Sequence, residues 1–329
     1  MKKVIYIEKS IKNLARVKAI IRRFRDPSII YINRYTEVFN KKNQNFSLQK
    51  KNPAVILAKK QGNFLLKTPE SYTIGRKNNY YFSYMYNCIF DCRYCFLQGL
   101  YNSSNFVIFI NYEDYFNEIG LLDSSHIAND TTIFSGYDCD SLAYDSISNF
   151  SESVLKSFNK FKKIELEIRT KSTYVKPFMR KSMQNIILAF SFTPERFSSK
   201  YELGVASNKK RVKVLQNLIN KGWKVGIRFD PFVIYEGWEK DYLNLFELIF
   251  SKIPTEQMHS VTYGNIRFPK NIFSKIKKYY AEEKLFFKFS KYKSNIYDED
   301  NGELINNFCS RYLINYVDKN KIYCNIHER

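Results

Sequence analysis

The chain has 329 residues, 44% of them hydrophobic, which suffices for one large domain with or without a smaller appendage and excludes a disordered chain. Its 53 Lys and Arg against 32 Asp and Glu leave a formal net charge of +21, so a polyanion, nucleic acid first, has to be weighed as substrate or partner. The plain alternative is an AT-rich genome that inflates Lys, Asn, Ile, Tyr and Phe. Apolar runs stay far short of the roughly 18 residues of a membrane span, and Glu8 and Lys9 break the apolar start, so neither a span nor a signal peptide is expected. Three of the six cysteines crowd into residues 88 to 95, unlike the spread framework of a secreted disulfide protein; a cytoplasmic location is expected.

In chain order, VIYI (4 to 7), a helical stretch near 9 to 24 and SIIYIN (28 to 33) predict a small N-terminal α/β appendage over residues 1–75, with a polar connection at 41 to 52. From residue 80, strand-like runs recur at 80 to 87, 131 to 138, 163 to 171, 185 to 193, 223 to 232 and 260 to 268, separated by helical patterns. One of these, at 207 to 222, sets Val212, Leu215, Leu218 and Ile219 on one helical face. Alternating strands and helices imply a parallel sheet, and six units are too few for the eight-stranded barrel. The predicted class is α/β: a partial (βα)6 TIM-like barrel over 76–270, the appendage before it, and a C-terminal β-hairpin and helix extension over 271–329. Chemistry on such a sheet sits at the C-terminal strand ends, where Cys88, Asp138, Lys171, Asp230 and the Asn265 region all fall. Arg228 and Asp230 are candidates for an internal charge pair.

NCIFDCRYCFLQG places Cys88, Cys92 and Cys95 at spacings of four and three directly after a predicted strand. Three thiolates in one loop can hold a 4Fe-4S cluster with one iron left open, whereas four would fill it for electron transfer. The alternatives are zinc or unrelated core cysteines; zinc would want a fourth ligand, and neither Cys139 nor His126, His259 or His327 has convincing spacing to the loop.

The loop, with Tyr94 before its last cysteine, resembles the radical-SAM signature. FSGYDCDSLAYD, IRTK, FSFTPE, FDPFVIYEGWEKDY and FKFSKYKSNIY, in that order, resemble spore photoproduct lyase and its non-spore relatives over about 78 to 325. The resemblance implies a radical-SAM barrel and a carbon-carbon lyase that cleaves S-adenosyl-L-methionine to a 5'-deoxyadenosyl radical, which abstracts hydrogen from a lesion in DNA. It implies Cys88, Cys92 and Cys95 as cluster ligands, Lys171 and Ser191 as S-adenosylmethionine contacts with Cys139 and Asp140 lining the same pocket, and a reductant such as flavodoxin or ferredoxin as partner. It also implies a hairpin that holds DNA: Lys291 and Tyr292 match its basic-aromatic pair, and Lys288 and Lys293 add charge. The bland reading of that segment is an amphipathic strand.

Two positions depart from the spore enzymes. Their hydrogen-donor cysteine falls on Tyr137 in a gapless match, with Cys139 two residues on and on the same face of a strand; the tyrosine after their last cluster cysteine is Phe96. Tyr137, Cys139 and Tyr94 are therefore the candidates for hydrogen return and radical transfer. The changed residues leave room for a radical enzyme acting on RNA, a peptide or a small molecule, and the charge leaves room for an iron-sulfur nucleic-acid-binding protein without radical chemistry.

Overall fold

A computed structural model describes residues 2–69, 72–282, 296–298 and 301–326. The six predicted barrel strands are Asn78–Phe82, Thr131–Ser135, Glu165–Thr170, Ile186–Ser191, Lys224–Phe232 and Met258–Asn265. They pair in chain order, all parallel, and the sheet curls into a partial barrel. Ile322–Cys324 extends it in parallel at one edge and Leu66–Lys67 antiparallel at the other. Period-two alternation sorts the side chains. Ile133, Leu166, Ile168, Leu188, Phe190, Val225, Ile227, Phe229 and Val261 enter the main core. Helices Phe150–Phe158, Asn208–Ile219 and Trp238–Phe250 contribute to that core, the second through Val212, Leu215, Leu218 and Ile219 as the sequence predicts.

The opposite face lines the inside of the barrel and is charged. Glu167 and Arg228, both fully buried, meet at 2.7 Å, and Arg228 also donates to Ser260 Oγ at 2.9 Å. Asp230 lies 3.7 Å from Arg169 instead, so the expected Arg228–Asp230 pair does not form. The reason is room: a Cβ on Gly226 would stand 2.5 Å from Arg228 Nη2, so glycine there lets the guanidinium fold back toward Glu167. One layer lower, Glu165 is ringed by Arg76 at 2.8 Å, Lys224 at 3.2 Å and His259 at 3.7 Å.

A second sheet takes Val4–Glu8, Ser28–Ile32 and Val55–Ala58 in parallel, then Phe106–Phe109, then Met85–Tyr86 antiparallel at its edge. Its Ile5, Ile7, Ile56, Leu57, Ile108 and Phe109 belong to the same core as the barrel's outer face. Several predicted boundaries shift. The run at 80 to 87 splits between the two sheets; the helix near 9 to 24 is a 3-10 turn, Lys9–Ile11, followed by Ala15–Ile21; and the polar connection contains a helix, Phe46–Lys51. The run at 131 to 138 ends at Ser135, because Gly136 turns the chain at φ +81°, where a Cβ would stand 2.3 Å from Ser141 Oγ. No helix among the described residues is long and apolar enough to cross a membrane.

Burial works to raise the Glu165 pKa, but His259, Arg76 and Lys224 outweigh it and hold the carboxyl down at about 2. A depressed acid stabilises the fold above its unfolded pKa of about 4.3 and loses that contribution as pH falls through its folded value. Glu165→Gln is expected to be less stable than the parent by on the order of 2 kcal/mol above about pH 5, with the gap closing toward pH 2, as read by urea unfolding across pH.

Candidate active site at the cysteine loop

The loop runs from the small sheet into a two-stranded ribbon of its own. It leaves the edge strand Met85–Tyr86 through Asn87, at φ 66°, a conformation asparagine tolerates. The Asn87 side-chain amide donates to the carbonyls of Ser103 at 2.8 Å and Asn105 at 2.7 Å, fixing where Cys88 begins. Asp91–Cys92 then pairs antiparallel with Glu202–Leu203, and the Arg93 N–H donates to the Tyr201 carbonyl at 2.8 Å. The Cys95 N–H closes a turn on the Cys92 carbonyl at 3.0 Å before the short helix Leu97–Leu100.

Cys92 is buried and Cys88 and Cys95 are half-buried, and none of the three is in a disulfide. Burial pushes all three thiols up, Cys92 to about 12, and the thiolates would repel one another from Cys88 to Cys92 and from Cys92 to Cys95. Backbone hydrogen bonds at Phe90 and Asp140 act in the other sense on Cys88, as does one at Leu97 on Cys95. Lys171 Nζ stands 3.8 Å from Cys92 Sγ. Among the described residues, no three His, Cys, Asp or Glu converge as ligands of a single ion would. The donor set is three thiols within electrostatic reach, already met by N–H donors, and this fits a cluster that spreads its ligands over separate irons.

Lys171, one residue past the third barrel strand, is held in a buried network. Its Nζ donates to Tyr94 Oη at 2.5 Å and pairs with Glu202 Oε1 at 3.0 Å. Tyr94 donates to the same oxygen. The fully buried Glu202 carboxylate also accepts from Thr193 at 2.9 Å and Ser198 at 2.6 Å and pairs with Arg211 at 3.2 Å. Burial opposes its ionisation, but Lys171 and Arg211 first, then the hydroxyls, hold its pKa far below the ordinary range. Sequence reasoning missed Glu202 and Arg211. Arg211 left a signal, a charge within the apolar stripe of its helix beside Val212 and Leu215, whereas Glu202 left none.

Ser191 ends the fourth barrel strand, buried, and its carbonyl accepts from Arg211 Nη1 at 2.5 Å, which ties it to the same network. Asp140 accepts from the N–H groups of Leu142, Ala143 and Lys171 at 3.0, 2.8 and 2.6 Å and from Thr170 Oγ1 at 2.6 Å, clasping one loop to the next strand end. Because the second strand stops at Ser135, the same-face argument for Tyr137 and Cys139 does not hold: Cys139 is buried in the main core, and Tyr137 is 46% exposed. The Tyr137 ring lies over Tyr81 with centroids 4.4 Å apart and contacts Phe96 at 5.6 Å. Lys288, Lys291, Tyr292 and Lys293 lie outside the described residues.

The sequence pattern of the family described as Spore photoproduct lyase matches residues 1–324. The chain belongs to the spore photoproduct lyase family. It is 23% identical over 248 residues to spore photoproduct lyase of Bacillus subtilis, spanning 71% of this chain and 72% of that one. To the enzyme of Clostridium acetobutylicum it is 24% identical over 253 residues, spanning 73% and 75%. Among solved structures it is similar to a spore photoproduct lyase mutant with bound AdoMet and dinucleoside spore photoproduct, at TM-score 0.81 and 16% identity over 99% of this chain and 98% of that one. It is equally similar to the enzyme complexed with the dinucleoside spore photoproduct, at TM-score 0.81 and 17% identity over 99% of each chain. These structures share the partial-barrel fold.

Phe96 and Tyr137, the two positions that the sequence leads one to expect to differ from the spore enzymes, are in ring contact with each other. Removing the central carboxylate has a plain expectation. Glu202→Ala strands Lys171 and Arg211 as buried cations and is expected to lose about 3–5 kcal/mol by urea unfolding, with weakened iron uptake on reconstitution.

Proposed function

We propose that this chain is a radical enzyme that holds a 4Fe-4S cluster on Cys88, Cys92 and Cys95, binds S-adenosylmethionine beside it and acts on a lesion in DNA. The observation that carries the reading is the three-thiol loop standing over the C-terminal strand ends, with Lys171 3.8 Å from Cys92 and Ser191 joined to Lys171 through Arg211 and Glu202. A cluster held there by Cys88, Cys92 and Cys95 would supply the electron for reductive cleavage of S-adenosylmethionine. The protein's own groups do the rest. Lys171 and Ser191 are assigned to the charged end of S-adenosylmethionine, with Asp140 on the neighbouring wall. Tyr94, fixed between Lys171 and Glu202, orients that lysine.

Of the two candidates for returning hydrogen to the substrate, the geometry favours Tyr137: its ring lies against Tyr81 of the barrel's inner face and touches Phe96, next to Cys95, whereas Cys139 is enclosed in the core. Lys288, Lys291, Lys293 and Tyr292, in a C-terminal extension from residue 271, supply cations and a stacking ring for DNA, in keeping with the net charge of +21. The appendage (1–75) and barrel (76–270) complete the arrangement. A flavodoxin or ferredoxin delivers the electron, and free cysteines suit the reducing cytoplasm.

The test is anaerobic reconstitution with iron and sulfide, reduction with dithionite and chromatography of 5'-deoxyadenosine with and without ultraviolet-damaged DNA. Cleavage that rises with damaged DNA is expected. Cleavage indifferent to DNA would redirect the radical chemistry to RNA, a peptide or a small molecule, and none from an intact cluster would overturn the enzyme reading. Tyr137→Phe is expected to keep S-adenosylmethionine cleavage while losing most of the repaired product, and Cys139→Ala to keep both.

A further inference from the structure

The helix Phe46–Lys51, in what the sequence offers only as a polar connection, delivers a cation to the cysteine loop. Asn45 caps it, accepting the Leu48 N–H at 2.9 Å, and Phe46 stacks on Tyr279 with centroids 4.8 Å apart and planes 8° from parallel. Lys50, three-quarters buried, then places Nζ 2.5 Å from Asp91 Oδ1 and 2.7 Å from Tyr280 Oη, and donates to Gln98 Oε1.

These partners bracket the cysteines. Asp91 directly precedes Cys92, and Gln98 follows Cys95 by three residues. Gln98 Nε2 donates to the Cys92 carbonyl at 3.2 Å and to Asp91 at 3.1 Å, and the Gln98 N–H donates to the Cys95 carbonyl at 3.1 Å. Arg93 meets the second Asp91 oxygen at 3.2 Å and lies 4.3 Å over the Tyr280 ring. The segment from Cys92 to Cys95 therefore stands between two partly buried ammonium groups, Lys171 at Cys92 and Lys50 across Asp91 and Gln98.

We propose that Lys50 is a positioning residue for the cluster: it ties Asp91 to Gln98 across the loop, and its charge favours the reduced, more negative state. The inference rests on the reading that Cys88, Cys92 and Cys95 hold a cluster. A cation beside a redox centre in a partly buried site stabilises the added electron, and a neighbouring carboxylate opposes it. The two residues therefore have opposite signs: losing Lys50 makes the cluster harder to reduce, and losing the Asp91 charge makes it easier. A purely mechanical role, in which either substitution only loosens the loop, gives no such opposition.

The experiment is a dye-mediated potentiometric titration of the full-length protein, reconstituted anaerobically, with the reduced cluster read by electron paramagnetic resonance. The proteins are the parent, Lys50→Met, Lys50→Arg and Asp91→Asn. Lys50→Met is expected to lower the reduced-to-oxidised ratio at a fixed potential about tenfold, a negative shift of about 59 mV for one electron. Lys50→Arg should stay near the parent, and Asp91→Asn should shift in the positive direction. A Lys50→Met midpoint equal to the parent's, or both charge-removing variants moving the same way, overturns the proposal. If Lys50→Met cannot hold a cluster, the near-isosteric Asp91→Asn decides alone, a positive shift supporting the proposal and no shift overturning it. A parent protein that takes up no 4Fe-4S cluster overturns instead the cofactor reading on which the proposal stands.

Discussion

A carboxylate with no access to solvent remains ionised only when its environment replaces the water it has lost, and Glu202 meets that condition through five side chains on four stretches of chain. Tyr94 comes from the cysteine loop, Lys171 from the end of the third barrel strand, Thr193 and Ser198 from just beyond the fourth, and Arg211 from the following helix. Because the Glu202–Leu203 strand also pairs with Asp91–Cys92, the backbone that carries a cysteine and the charges around it are fixed by one residue. The loop is part of the barrel's electrostatic framework.

The barrel tolerates this concentration of charge because its two faces do different work. The outer face is aliphatic and aromatic and joins the small sheet's side chains in one continuous core. The inner face carries Glu165, Glu167, Arg169, Arg228 and Asp230, each compensated by a neighbour in the same lumen. Charges that would be ruinous among the core residues instead set a rigid, polar floor beneath the strand ends where the candidate chemistry sits.

The two positions expected from the sequence to differ from the spore enzymes come together in space. Phe96 and Tyr137 are 41 positions apart in sequence and adjacent in space, so an aromatic without a hydroxyl lies directly against one that has it. Tyr137 also lies against Tyr81, which gives its ring a defined place near the loop while leaving 46% of the residue exposed.

Periodicity alone was enough to order the six parallel strands and to choose the buried face of the helix Asn208–Ile219, because alternation and the helical repeat are local properties of the chain. Cysteine spacing alone marked the loop, since three donors within eight residues are close whatever the fold. Reach across the chain could not be read this way. Glu202 and Lys50 look like surface residues in sequence and become parts of the site only when distant segments pack around them. The Arg228–Asp230 expectation failed for a related reason: side chains two apart on a strand share a face, but the room above Gly226 decided which carboxylate the arginine met. Tyr137 and Cys139 were parted by the left-handed turn at Gly136, which ends the alternation that would have aligned them. Sequence by itself determined the order of elements and the identity of the thiol loop; tertiary packing decided which charges meet there, because an ion pair depends on separation in space and on desolvation, neither of which is a property of a local stretch of chain.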